Sequence, residues 1–174
     1  MASPTFVLIA SSTVGAGGAS SIDFTNIPQN YTDLIVKTSY RTNNAQTYDQ
    51  LRLTFDGSSV ANYSFKGLTG TGSAASSESS SSVTSIKVAP GDGASATANT
   101  FTNDEIYIPN YTSNNNKSLS SDGVGENNGT TAYDSMFAGL WSNTTAVTSI
   151  TLKPESGGLF AQYSTAYLYG IKNS

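Results

Sequence analysis

Apolar and polar residues alternate with a period of two along most of the chain, the spacing at which one face of a strand meets a core and the other meets solvent. Thr32 to Arg41, TDLIVKTSYR, sets Leu34, Val36, Thr38 and Tyr40 against Ile35, Lys37, Ser39 and Arg41, with Lys37 and Arg41 outward. Gln50 to Phe55 repeats the pattern with Leu51, Leu53 and Phe55 on one face. Phe101 to Asn110 repeats it with Ile106 and Ile108 inward and Glu105 and Tyr107 outward. Thr5 to Ala10, Ser20 to Phe24, Ala61 to Leu68, Val83 to Val88, Lys117 to Val124, Tyr133 to Trp141, Thr148 to Leu152 and Gln162 to Ile171 complete the predicted strands.

The breaks between them have turn chemistry. Gly15-Ala16-Gly17-Gly18, Ile27-Pro28 and Asn43-Asn44 interrupt the pattern, and Asp56-Gly57 tolerates the positive backbone angles of a tight turn. Pro90-Gly91-Asp92-Gly93 is expected to end a strand, and 125–130 to form a loop. Gly70 to Ser82, GTGSAASSESSSS, has almost nothing to bury and is expected to be a flexible loop. No apolar pattern at 3.6 spacing lasts three turns. The prediction is therefore all-β: one domain over residues 1–174, an antiparallel β-sandwich of roughly ten strands, jelly-roll-like.

Composition narrows the chemistry. Hydrophobic residues make up 37% and charged residues 11% of the 174, a balance far from that of disordered chains. The net charge of −4 with 8 Lys and Arg leaves no basic stripe for phosphates, so neither nucleic acid nor an acidic membrane is an expected partner. With no His and no Cys, a Ser-His-Asp triad, a thiol nucleophile, disulfides and the usual zinc ligands are excluded. The short apolar run Phe6 to Ala10 has no basic residue before it, and it reads as a strand in a protein made in the cytoplasm without export.

Each remaining candidate has a plainer explanation. A glycosidase needs two carboxylates flanking a sugar. Asp104 with Glu105, adjacent on a strand, point to opposite faces, and Asp122 with Glu126 belongs to a set of 12 acids placed mostly at turns. Asp92 or Asp122 with loop carbonyls could suit calcium, yet no acidic repeat spacing supports it. The Asn-X-Ser/Thr triplets at Asn30, Asn62, Asn110, Asn116, Asn128 and Asn143 are assigned to turns, and the Gly-rich stretches lack the setting of a phosphate cradle. Trp141 and Phe137 are placed in the core. Tyr107 and Tyr111 are the aromatic residues expected at the surface. No enzyme activity, cofactor or metal is expected.

Three stretches carry a resemblance: Ile27-Pro28-Gln29-Asn30-Tyr31-Thr32-Asp33-Leu34; Ala138-Gly139-Leu140-Trp141-Ser142-Asn143 with Thr148-Ser149-Ile150-Thr151-Leu152; and Tyr167-Leu168-Tyr169-Gly170-Ile171-Lys172. Together they resemble a family of small virion-associated structural proteins of marine tailed phages, cyanophages among them. The resemblance implies a place in the virion and a sandwich or jelly-roll fold, with no catalytic role to carry over. A tail fibre would be expected to bring a shaft, heptads or a repeat, and none is found between Met1 and Ser174, which favours a capsid decoration (cement) protein. Its expected partners are the major capsid protein or other virion proteins, and a homo-oligomer is the default on a symmetric particle. Thr5 and Phe6 near the N-terminus, Ser76, Ser77 and Glu78 in the Ser-rich stretch, and Tyr107 and Tyr111 are the candidate surface contacts. The alternative is a tail-fibre or receptor-binding module that grips host glycan through Tyr and Asn, and a glycan-cleaving enzyme is a third possibility.

Overall fold

A computed structural model describes residues 5–125 and 133–172, which form twelve strands. In chain order these are β1 (Phe6–Thr13), β2 (Ile22–Phe24), β3 (Asp33–Tyr40), β4 (Tyr48–Phe55), β5 (Tyr63–Gly70) and β6 (Ala75–Val83). They continue as β7 (Ile86–Asp92), β8 (Thr102–Ile108), β9 (Lys117–Gly125), β10 (Tyr133–Trp141), β11 (Ile150–Pro154) and β12 (Thr165–Ile171). Two antiparallel sheets result, one of eight strands in the order β1-β12-β3-β8-β9-β10-β5-β6 and one of four in the order β2-β11-β4-β7. The chain is all-β as the sequence predicts, an antiparallel sandwich with an eight-and-four division of strands. The loop predicted over 125–130 lies, apart from Gly125, outside the described residues.

Two expectations are corrected. Ser76, Ser77 and Glu78 do not lie in a flexible loop but in β6, paired along its length with β5 from Tyr63↔Val83 to Gly70↔Ala75. Cross-strand pairing joins backbone groups and needs no burial, so a serine run can form a strand once β5 offers an edge. The hairpin turns at Thr71 to Ala74, with Gly72 at φ 80°. Pro90, Gly91 and Asp92 do not end β7 but belong to it. β7 is the margin of the small sheet, where a proline's missing N–H can face away from the ladder.

The inward rows of both sheets form one apolar cluster. At one end Trp141 stacks on Tyr63 at 5.9 Å and meets Phe55 at 5.5 Å, as expected for a core residue only 1% exposed. The Tyr63 hydroxyl crosses between sheets, accepting from the Phe55 N–H at 3.1 Å and donating to the Phe55 carbonyl at 3.2 Å. Strand β7 lies across β8, β9, β10 and β5 of the large sheet. Its approach is close because glycines face it: a Cβ on Gly139 would stand 2.5 Å from Ile86 Cγ2.

The margin of β7 is closed from the facing sheet. Tyr40 Oη donates to the Ala89 carbonyl at 3.2 Å, and Ser121 Oγ donates to that of Val88. The Asp92 N–H donates to Thr102 Oγ1 at 2.9 Å, and the Asp92 carbonyl accepts from the Thr42 N–H at 2.8 Å. Gly91 lets the Tyr40 ring lie flat beneath the strand, since a Cβ there would stand 2.0 Å from Cε2. The ring cannot move aside without losing its bond to Ala89 and its edge contact with Phe160 at 5.9 Å. Gly91→Ala is therefore expected to lower stability by about 1–3 kcal/mol, the range for overpacking a filled core, read as a lower urea midpoint with an unchanged slope.

Candidate functional site

Outward side chains of the large sheet line up across all eight strands. One row runs Leu8, Tyr169, Ile35, Tyr107, Ser120, Ala138, Lys66 and Ser79, each directly opposite the next. Beside it a second runs Ser11, Tyr167, Lys37, Glu105, Asp122, Met136, Leu68 and Ser77. Large side chains fill the first row as far as Tyr107. Small ones follow at Ser120 and Ala138 before Lys66, three strands or about 14 Å beyond Tyr107. The step in side-chain size makes a groove of about 760 Å³, lined by Tyr107, Ser120, Asp122, Met136, Lys66 and Ser79 among others.

Charge along the second row is partly balanced. Glu105 and Asp122 stand directly opposite each other, a repulsive arrangement on a sheet face. Lys37 offsets it by binding Glu105 at 2.7 Å, and that hydrogen bond raises the Lys37 ammonium above its ordinary value. Both partners are about half exposed, so the pair contributes at most about 1 kcal/mol. Tyr107 donates its hydroxyl to Asp33 Oδ2 at 2.9 Å, while Asp33 Oδ1 accepts from the Asn110 N–H at 2.8 Å. Burial, then the bond to Asp33, push the Tyr107 phenol up. Its hydroxyl is thus committed, and what it offers a partner is the ring.

The sequence candidates fall into three groups. Ser77 and Tyr107 present their side chains to this groove, and Glu78 borders it with its carboxylate turned to Lys87. Thr5 and Phe6 are exposed at the opposite margin of the same sheet, where the Thr5 carbonyl accepts from the Lys172 N–H at 3.0 Å; Ser76 is exposed on β6 with its neighbours. Tyr111 is the correction: it is fully buried, its hydroxyl donates to the Pro28 carbonyl, and its own carbonyl accepts from the Val147 N–H at 3.0 Å. It follows the β8 strand end, where Asn110 turns the chain inward at φ 48°. Leu8, Leu68 and Met136 were missed as surface residues. The signal was present, since each is out of phase with the inward positions of its strand, and they remain 52%, 55% and 49% exposed.

The candidate carboxylate pair Asp104 and Glu105 does not assemble. Glu105 is outward and Asp104 is buried between the sheets, while Glu126 lies outside the described residues. Among the described residues no three carboxylates converge as a metal site would require. No family model matches the chain, and neither a curated protein nor a solved structure matches it.

Asp104 has a different consequence. Its Oδ2 accepts from Thr38 Oγ1 at 3.2 Å, while Oδ1 is buried without a partner. Gly123 leaves the space, since a Cβ there would fall 2.1 Å from Oδ1. Burial pushes the carboxyl up to about 8, against the pull of Thr38 and with a further push from Asp122. The unfolded chain gives up this proton near 3.8 and the folded chain near 8. Stability is thus expected to be greatest at the acid end of that window and to fall as pH rises through it. Asp104→Asn should flatten the fall, with urea midpoints compared across the window as the check.

Proposed function

We propose that the chain is a structural protein of a bacteriophage particle that attaches to the outside of the capsid shell and docks through the outward face of its eight-stranded sheet. The family resemblance supports the particle. The mode of docking rests on one observation: apolar side chains stay exposed at both ends of this face, Phe6, Leu8 and Tyr167 at one and Leu68, Met136 and Leu140 at the other. Exposed apolar groups gathered on one face mark interaction surfaces.

The role is mechanical. The partner is the major capsid protein in its assembled state, with the sheet bridging junctions between subunits. A protein that binds the assembled shell and not its free subunits stabilises the shell by linkage, and so opposes expansion by packaged DNA. No reaction, cofactor or metal is assigned. Leu8→Glu and Met136→Lys, the latter placing a cation opposite Asp122, are expected to leave the unfolding free energy within about 0.5 kcal/mol of the parent, as exposed substitutions do. Each should reduce co-sedimentation of the purified protein with shells of a phage that encodes it. Particle imaging that finds the protein at the tail tip, with none on the shell, would refute the proposal.

The groove favours a second reading, a receptor-binding module for host glycan. Its hydroxyls at Ser77, Ser79 and Ser120, the carboxylates of Glu105 and Asp122, and the Tyr107 ring are groups that bind sugars. Saturable binding on a glycan array, lost in Tyr107→Ala, would favour it over attachment to the shell.

A further inference from the structure

Four strands stand at the margins of the two sheets, and the fold itself closes three of them. β2 is three residues long. β7 has its Val88, Ala89 and Asp92 backbone groups taken up by Ser121, Tyr40, Thr102 and Thr42. β1 is broken by a bulge between Leu8 and Ala10, and a bulge of this kind twists an edge away from further pairing.

β6 has none of these devices over most of its length. It runs nine residues, exposed on both faces, and its bulge lies near the C-terminal end, at Ser82. Among the described residues its backbone bonds only to β5. It carries six Ser, no Lys and no Pro. Its single charge, Glu78, turns into the gap between sheets, where Lys87 holds it at 2.6 Å, and Lys87 in turn lies 5.5 Å from the Phe137 ring. Lys87 neutralises that one charge, and a long edge with no unpaired charge is a template for strand addition.

We propose that the occupant is β6 of a second copy of this chain, paired antiparallel about a two-fold axis normal to the sheet. Such an axis sets each residue opposite one of the same facing, so it must pass through a residue. An axis at Glu78 would set two carboxylates against each other, which is destabilising. An axis at Ser77 or Ser79 instead sets Glu78 opposite the second copy's Ser76 or Ser80, with small hydroxyls throughout. Two eight-stranded sheets then become one, with both outward faces on the same side. This interface is independent of where the protein resides.

The chain has no Cys, so introduced thiols report without interference. Sedimentation of the full chain at about 100 μM, where a complex of micromolar Kd is mostly formed, is expected to show a dimer. Under mild oxidation either Ser77→Cys or Ser79→Cys, whichever lies on the axis, should cross-link to its own copy, and Ser20→Cys, exposed but distant, should not. The Ser77→Lys, Ser79→Lys double variant should sediment as a monomer, with the parent's urea midpoint when both are diluted to where the parent too is monomeric. A monomer of the parent at this concentration would overturn the proposal, as would a dimer that forms neither cross-link or survives the lysine pair.

Discussion

The structure depends on how the small sheet's marginal strand is finished. β7 lies across four strands of the large sheet with unsatisfied backbone groups along one side, and an unpaired buried carbonyl or N–H costs about 1–3 kcal/mol. Hydroxyls from Tyr40, Ser121 and Thr102 and the N–H of Thr42 meet those groups. The same bonds fix the distance between the sheets, and the glycines at 91 and 139 follow from that distance, since the Tyr40 ring and the Ile86 side chain occupy the space a Cβ would need. Gly123 makes the same room within its own sheet for the carboxyl of Asp104, which stands directly opposite it. At the other end Tyr63 does the same for Phe55, so hydroxyls tie the two layers at both ends of the core.

Fixing the inner rows also fixes the outer ones. Side chains alternate strictly along a strand, so the register that buries Phe65 and Phe137 presents Lys66, Leu68, Met136 and Ala138 on the other side. The groove is therefore a by-product of register, since it exists because two strands place Ser120 and Ala138 level with Tyr107 and Lys66. Its chemistry is mixed. Hydroxyls dominate, one ion pair is satisfied by Lys37, and the apolar groups stand at the two ends of the face.

The alternation made the sandwich legible: Leu34, Val36, Thr38 and Tyr40 in β3 and Ile106 and Ile108 in β8 are buried as the sequence predicts, and so is Trp141. Failures came where a contact distant in sequence decided the outcome. Tyr111 reads as a loop tyrosine until Pro28 and Val147 close over it. Arg41 reads as an outward charge, yet its guanidinium donates to the carbonyls of Ala94, Ala96, Thr97 and Thr100 and organises the loop before β8. Lys117, on which the pattern is silent, is 1% exposed through local contacts: its ammonium donates to the Ser113 and Asn115 carbonyls, and burial lowers its pKa. The groove was half legible. Tyr107 and Ser77 were identified, but strand order brings Lys66, Ser79, Ser120, Asp122 and Met136 beside them, and order is not written in any local pattern.

The serine run joins these observations. A chain with 11% charged residues has few lysines with which to guard its margins, and it uses hydroxyls instead. Where a margin faces the core, as in β7, the hydroxyls come from the other sheet and close it. β6 extends beyond that cover, held by β5 and by the Glu78 to Lys87 bridge, and its own hydroxyls point to both faces rather than along the edge. Serine is poor at specifying register, because slipping the strand buries nothing new. The single glutamate supplies what the serines lack: it anchors β6 to β7 within the chain, and it excludes the one symmetric alignment in which its own charge would meet its copy.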